Sequence, residues 1–90
     1  MKKYFIIHKI NERLDVREFS DPDAADDYVI ELISSQKDKS GYTRGLMYSS
    51  RLVGIDYGSH RNFIFTFYGS EDQLEEVKGK ILKGGLYIED

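Results

Sequence analysis

Residues 3–10, Lys-Tyr-Phe-Ile-Ile-His-Lys-Ile, and residues 62–68, Asn-Phe-Ile-Phe-Thr-Phe-Tyr, decide the fold. Both are rich in β-branched and aromatic types and contain neither Gly nor Pro, so both are predicted strands. In each, the two alternating sets of side chains are largely apolar, as in a central strand covered on both faces.

Next to the first strand, Asn11-Glu12 reads as a tight turn. Residues 13–19 then alternate, with Leu14 and Val16 inward and Arg13, Asp15 and Arg17 outward, so 3–19 is a predicted hairpin. Ser20-Asp21-Pro22-Asp23 supplies a capping side chain, a proline for the first turn and acids for the positive end of a helix dipole. The predicted helix carries an apolar stripe of Ala25, Val29, Leu32 and Ile33 beside Tyr28. Asp26, Asp27 and Glu31 lie off it, and its end falls near Lys37. After a loop at Ser40-Gly41, residues 43–49 and 51–57 form either two short strands or one long strand bulged near Ser49-Ser50. Gly58-Ser59-His60-Arg61 is a predicted turn before the second central strand. Gly69-Ser70-Glu71-Asp72 then opens a second helix, with a buried stripe of Leu74, Val77, Ile81 and Leu82. Gly84-Gly85 stops it, and Leu86-Tyr87-Ile88 reads as a short last strand.

The resulting order is ββαββαβ. Without the added hairpin strand it is βαββαβ, which resembles ferredoxin-like split βαβ domains. In that layout the two central strands are 3–10 and 62–68. The predicted fold class is therefore α+β: a single domain over residues 1–90, with an antiparallel sheet of four or five strands and two helices on one face.

Ninety residues make one domain with a thin core, for which oligomerisation is an ordinary way to add buried area. The absence of cysteine excludes a disulfide framework and every Cys-based zinc or redox site. The opening Met1-Lys2-Lys3 is basic, but His8 and Lys9 end the apolar run that follows, too early for a signal peptide. With no apolar run of bilayer length, the chain is read as a mature cytoplasmic protein. The net charge of −3 is unevenly placed: +3 in residues 1–10, −6 in 11–36, +3 in 37–61 and −3 in 62–90.

Catalytic and metal chemistry find little to stand on. Without cysteine, a nucleophile needs a serine beside His8 or His60, and no nucleophile-elbow motif is present. Asp21, Asp23, Asp26 and Asp27 are the densest carboxylates, but an EF-hand loop starting at Asp21 would need glycine where Asp26 stands and glutamate where Leu32 stands. Neither an enzyme, a metal site nor a cofactor is expected. Arg61, Phe63, Phe65 and Tyr68 fall on matching positions of the RNP1 motif, so residues 61–68 resemble that part of RNA-recognition domains, with Phe5 in the RNP2 place. The resemblance implies bases stacked on the sheet. Asn62, Ile64 and Thr66 depart from the motif.

Two surfaces remain as candidates. The set Phe5, Ile7, Phe63, Phe65 and Phe67 is purely apolar and is assigned to the helices. The opposite set, with Tyr4, His8 and Tyr68, is then an open sheet face suited to a protein partner or a second copy. The second candidate is a pocket for a small anion such as a nucleotide, built from Arg44, Tyr48, Arg51, Tyr57, His60 and Arg61 near Tyr42. Arginine forks match phosphate and carboxylate, and tyrosines stack or donate. The expected function is non-catalytic binding of the regulator or inhibitor type, through the open face or an edge, as a homo-oligomer. The anion pocket, within one chain or at a subunit interface, is the alternative; single-stranded RNA ranks third, and no membrane is expected as a partner.

Overall fold

A computed structural model describes residues 2–10, 13–34, 42–47, 52–58 and 62–83. Its elements run β1 (Lys3–Ile10), β2 (Arg13–Phe19), α1 (Pro22–Ser34), β3 (Tyr42–Met47), β4 (Leu52–Gly58), β5 (Asn62–Gly69) and α2 (Glu71–Lys83). The strands form one sheet in the order β2-β1-β5-β4-β3, and every neighbouring pair is antiparallel. β1 and β5 are adjacent and central, as their doubly apolar sequences require.

The stretch left open between one bulged strand and two short ones is two. Tyr42 pairs with Gly58 and Met47 with Val53, so β3 and β4 are an antiparallel pair. The order among the described residues is ββαβββα, which departs from the ferredoxin-like order. The candidate last strand at Leu86-Tyr87-Ile88 lies outside the described residues.

Both helices begin where local chemistry places them. At α1, the Asp23 backbone N–H donates to Asp21 Oδ1 at 3.0 Å, and Pro22 takes the first helical position, where a missing N–H costs nothing. At α2, the Gln73 N–H donates to Ser70 Oγ at 3.3 Å, and the Ser70 N–H donates back to Gln73 Oε1 at 2.9 Å. This is a reciprocal capping box, which satisfies two otherwise orphaned donors.

The helices do not share a face. In the β1–β5 register Phe5 stands opposite Phe67 and Ile7 opposite Phe65, while Leu52 of β4 stands opposite Phe67. These side chains form one buried cluster with Leu74, Val77 and Ile81 of α2. The residues of the other parity, Ile6 and Ile64, form a second cluster with Ala25 and Val29 of α1. Ile6 is 0% exposed and Ile64 1%. The expected arrangement of both helices on one side is thus corrected to three layers, with the sheet in the middle.

The reason lies in widths and connections. A helix is about 10–12 Å across and strands are about 4.8 Å apart, so one helix covers roughly two strands on one side only. β1 is apolar on both sides and needs a cover on each, each buried Ile or Phe contributing about 1.5–3 kcal/mol. α1 leaves β2 at one edge of the sheet and the chain re-enters at β3, the other edge, so it must cross a face. α2 leaves the end of β5 and takes the opposite one. Leu82, expected in the buried stripe of α2, is 55% exposed, because that stripe is completed by Leu74, Val77 and Ile81.

Candidate functional site

With α1 seated on it, the face assigned to partner binding is not an open sheet. α1 covers the middle of that face and leaves a corner uncovered. Tyr4 of β1 and Tyr68 of β5 are directly paired in register, and their ring centroids lie 4.6 Å apart at a tilt of 37°. Lys2 Nζ sits 5.9 Å from the centre of the Tyr68 ring, within cation–π range. Val53 of β4 stands opposite Thr66 of β5 on the same side. Tyr68 is 38% exposed and Val53 37%, whereas Phe65 and Phe67 on the other parity of β5 are buried. The corner is therefore an aromatic pair, a β-branched aliphatic, a hydroxyl and a flanking ammonium.

His8 is on the same face but not in the same patch. Four residues of strand at about 3.3 Å each put it roughly 13 Å along β1 from Tyr4, with the buried Ile6 lying between under α1 and the buried Ile64 directly opposite His8 on β5. It stands opposite Asp15 in the β1–β2 register. Partial burial lowers its pKa from 6.5; the Asp15 carboxylate opposes that shift, and the Arg13 guanidinium adds to it. The three partner-binding candidates thus resolve into Tyr4 with Tyr68, and His8 apart. Lys2, Val53 and Thr66 complete the corner. They were missed because their place depends on the register of β4 and on the path of α1.

Of the anion-pocket candidates, Tyr48, Arg51, His60 and Arg61 lie outside the described residues. Arg44 pairs in register with Asp56, and Tyr57 with Thr43, so positions 44 and 57 fall on opposite faces of the sheet. Of the four aromatics behind the RNP1 resemblance, Tyr68 is exposed on the α1 side, and Phe5, Phe63 and Phe65 belong to the α2 side. Phe65 is 1% exposed in the α2 cluster, Phe63 packs against that cluster with its ring centroid 5.9 Å from that of Phe65, and Phe5 lies in the same cluster. α2 closes Phe5 and Phe65 to a stacking base, and Phe63 is half-buried.

On the α2 side, an open groove is floored by Phe5, Val16 and Leu74 and walled by Glu18, Glu71 and Glu75. Lys3 Nζ lies 3.2 Å from Glu18 and 4.0 Å from Glu71, and Lys78 pairs with Glu75 at 3.2 Å. Two lysines of the same chain thus face the three acids, Lys3 being shared between Glu18 and Glu71. Among the described residues, no group of three His, Cys, Asp or Glu side chains could hold a metal ion, and no helix is long and apolar enough to cross a membrane. Asp21, from the acidic run, is occupied as the cap of α1.

No family model, curated protein or solved structure matches the chain.

Proposed function

We propose that this chain is a non-catalytic binding protein, of the regulator or inhibitor type, that docks a protein partner on the corner formed by Tyr68, Tyr4 and Val53. The observation that carries the proposal is the exposure of Tyr68 and Val53 on the inner strands of a sheet where, among the described side chains, the other large ones are buried or half-buried. Tyrosine gives a partner apolar area at low entropic cost and keeps a hydroxyl for hydrogen bonding. The Tyr4–Tyr68 stack holds both rings in place before binding, which reduces what association must order. Self-association belongs to the same proposal, since a domain this small gains buried area by it.

The test is a comparative purification from the native host with three tagged forms: wild type, Tyr68→Ser and Asp27→Asn. Asp27 is exposed on α1 away from the corner and serves as control. Wild type and the control recover the same stoichiometric protein, and Tyr68→Ser loses it. Removing a central tyrosine from such an interface costs about 2 kcal/mol, roughly a 30-fold weaker complex. A Tyr68→Ser protein of unchanged melting temperature that retains the partner excludes the corner as its binding site.

A further inference from the structure

The two edges of the sheet are built differently. β2 carries charge at four of its seven positions, Arg13, Asp15, Arg17 and Glu18. Arg13 pairs with Asp15 at 3.4 Å, and Glu18 with Lys3 at 3.2 Å. A charged edge resists the addition of another strand. β3, Tyr42-Thr43-Arg44-Gly45-Leu46-Met47, has one charged residue in six. Among the described residues nothing pairs with its outer side. Gly45 is exposed, and a Cβ placed on it meets nothing within 4 Å.

We propose that β3 is the self-association edge: a second copy of the chain pairs its own β3 antiparallel to it, with Gly45 opposite Gly45 on a two-fold axis. This deepens the self-association in the function proposed above and uses no residue of the Tyr4–Tyr68 corner. The two five-stranded sheets then merge into a single sheet, and each copy keeps its own α1 and α2. A two-fold axis perpendicular to an antiparallel pair must set one residue opposite its own counterpart. Only centring on Arg44 or on Gly45 pairs five of the six β3 residues across the axis; any other centre pairs three or fewer. Centring on Arg44 sets two arginine positions directly opposite, and like charges there destabilise a sheet. Centring on Gly45 sets Arg44 opposite Leu46 and Thr43 opposite Met47, with no like-charge pair. The interface is isologous and closes at two copies, leaving the charged β2 edges outermost, where they block further growth.

Sedimentation and light scattering of three proteins test this: wild type, Gly45→Lys and Gly45→Glu. Since open space surrounds a Cβ at Gly45, both variants fold as monomers. Wild type runs at twice the 10.5 kDa chain mass. Each variant alone runs as a monomer at concentrations where wild type is dimeric, because it sets two like charges together on the axis. An equimolar mixture of the two variants returns to the dimer, since the pair across the axis is then Lys with Glu. A monomeric wild type, a single variant that dimerises like wild type, or a mixture that stays monomeric each overturns the proposal. Should either variant melt below wild type at concentrations where both are monomeric, the same register supplies a second test: Thr43→Lys with Met47→Lys sets like charges opposite each other twice and runs as a monomer, Thr43→Lys with Met47→Glu sets opposite charges there and dimerises, and the reverse outcome overturns the proposal. The purification of the Tyr68→Ser protein reads out the other surface, so the two proposals fail independently.

Discussion

Replacing Gly69 with alanine puts a methyl group where three atoms already lie. The added carbon would stand 2.6 Å from Gln73 Oε1 and 2.7 and 2.8 Å from the edge of the Phe67 ring. The Gln73 amide can swing away, but only by giving up its bond to the Ser70 N–H, a loss of about 0.5–1.5 kcal/mol. The Phe67 ring is buried in the α2 cluster and has no room to retreat, and overpacking of this kind costs about 1–3 kcal/mol. Stiffening of the unfolded chain by alanine returns about 0.4–1 kcal/mol. The net is a destabilisation of about 2 kcal/mol, or a melting temperature lower by about 8–16 °C in a domain of this size. The backbone at Gly69 is not left-handed, so contact and not dihedral freedom keeps the residue small. Gly79 supplies the matched control. It lies within α2 with nothing within 4 Å of an added Cβ, and alanine there favours the helix by about 0.5–1 kcal/mol. Thermal denaturation followed by circular dichroism should therefore move in opposite directions for the two Gly→Ala changes. A Gly69→Ala protein as stable as wild type would refute the packing of Phe67 and Gln73 around that position.

Ile6→Ala and Ile7→Ala test the three-layer arrangement together: each should cost about 2–5 kcal/mol in urea denaturation, because each side chain is enclosed by a different helix. A near-neutral Ile6→Ala would mean that α1 does not cover its face. Ser70→Ala should lower stability by about 1 kcal/mol, and a double-mutant cycle with Gln73→Ala should show coupling, since the two bonds belong to one capping box; strict additivity of the two changes counts against it. His8 sets a pH dependence. Its pKa is lowered on folding, so the unfolded chain takes up the proton first, and stability falls as pH drops from about 6.5 through the lower folded value. Melting temperatures between about pH 7 and pH 5 should fall more for wild type than for His8→Gln. Equal slopes would show that folding leaves the histidine's pKa without a net lowering.

The local parts of this fold are readable because their causes are local. Asp21-Pro22 and Ser70 with Gln73 act within four residues of chain, and the bounds of β1 and β2 follow from the alternation and turn residues beside them. The placement of the helices depends instead on where the chain goes next. α1 has a readable apolar stripe, but nothing within residues 22–34 states that β3 lies at the far edge of the sheet. Yet one signal pointed the right way: both parities of residues 3–10 are apolar, which a sheet open on one side cannot accommodate. The candidate site divided along the same line. Alternation alone puts Tyr4, His8 and Tyr68 on one face, and the register confirms that parity. Their separation into a tyrosine pair and a distant histidine follows from the path of α1, which no short stretch of sequence encodes.

The central position of β1 also sets the order in which the molecule can assemble. On one side β1 meets β2, its immediate successor in the chain. On the other it meets β5, with Lys3 pairing Gly69 and Ile10 pairing Asn62. A chain emerging from the ribosome can close the β1–β2 hairpin early, but β1 must wait until residues 62–69 are made before its second neighbour exists. Until then its apolar residues have no complete cover on either side. Contacts so far apart in sequence slow folding, and an uncovered apolar strand is open to wrong pairings in the interval. The residues that make β1 the centre of the finished sheet are thus the ones most in need of protection while it is being built.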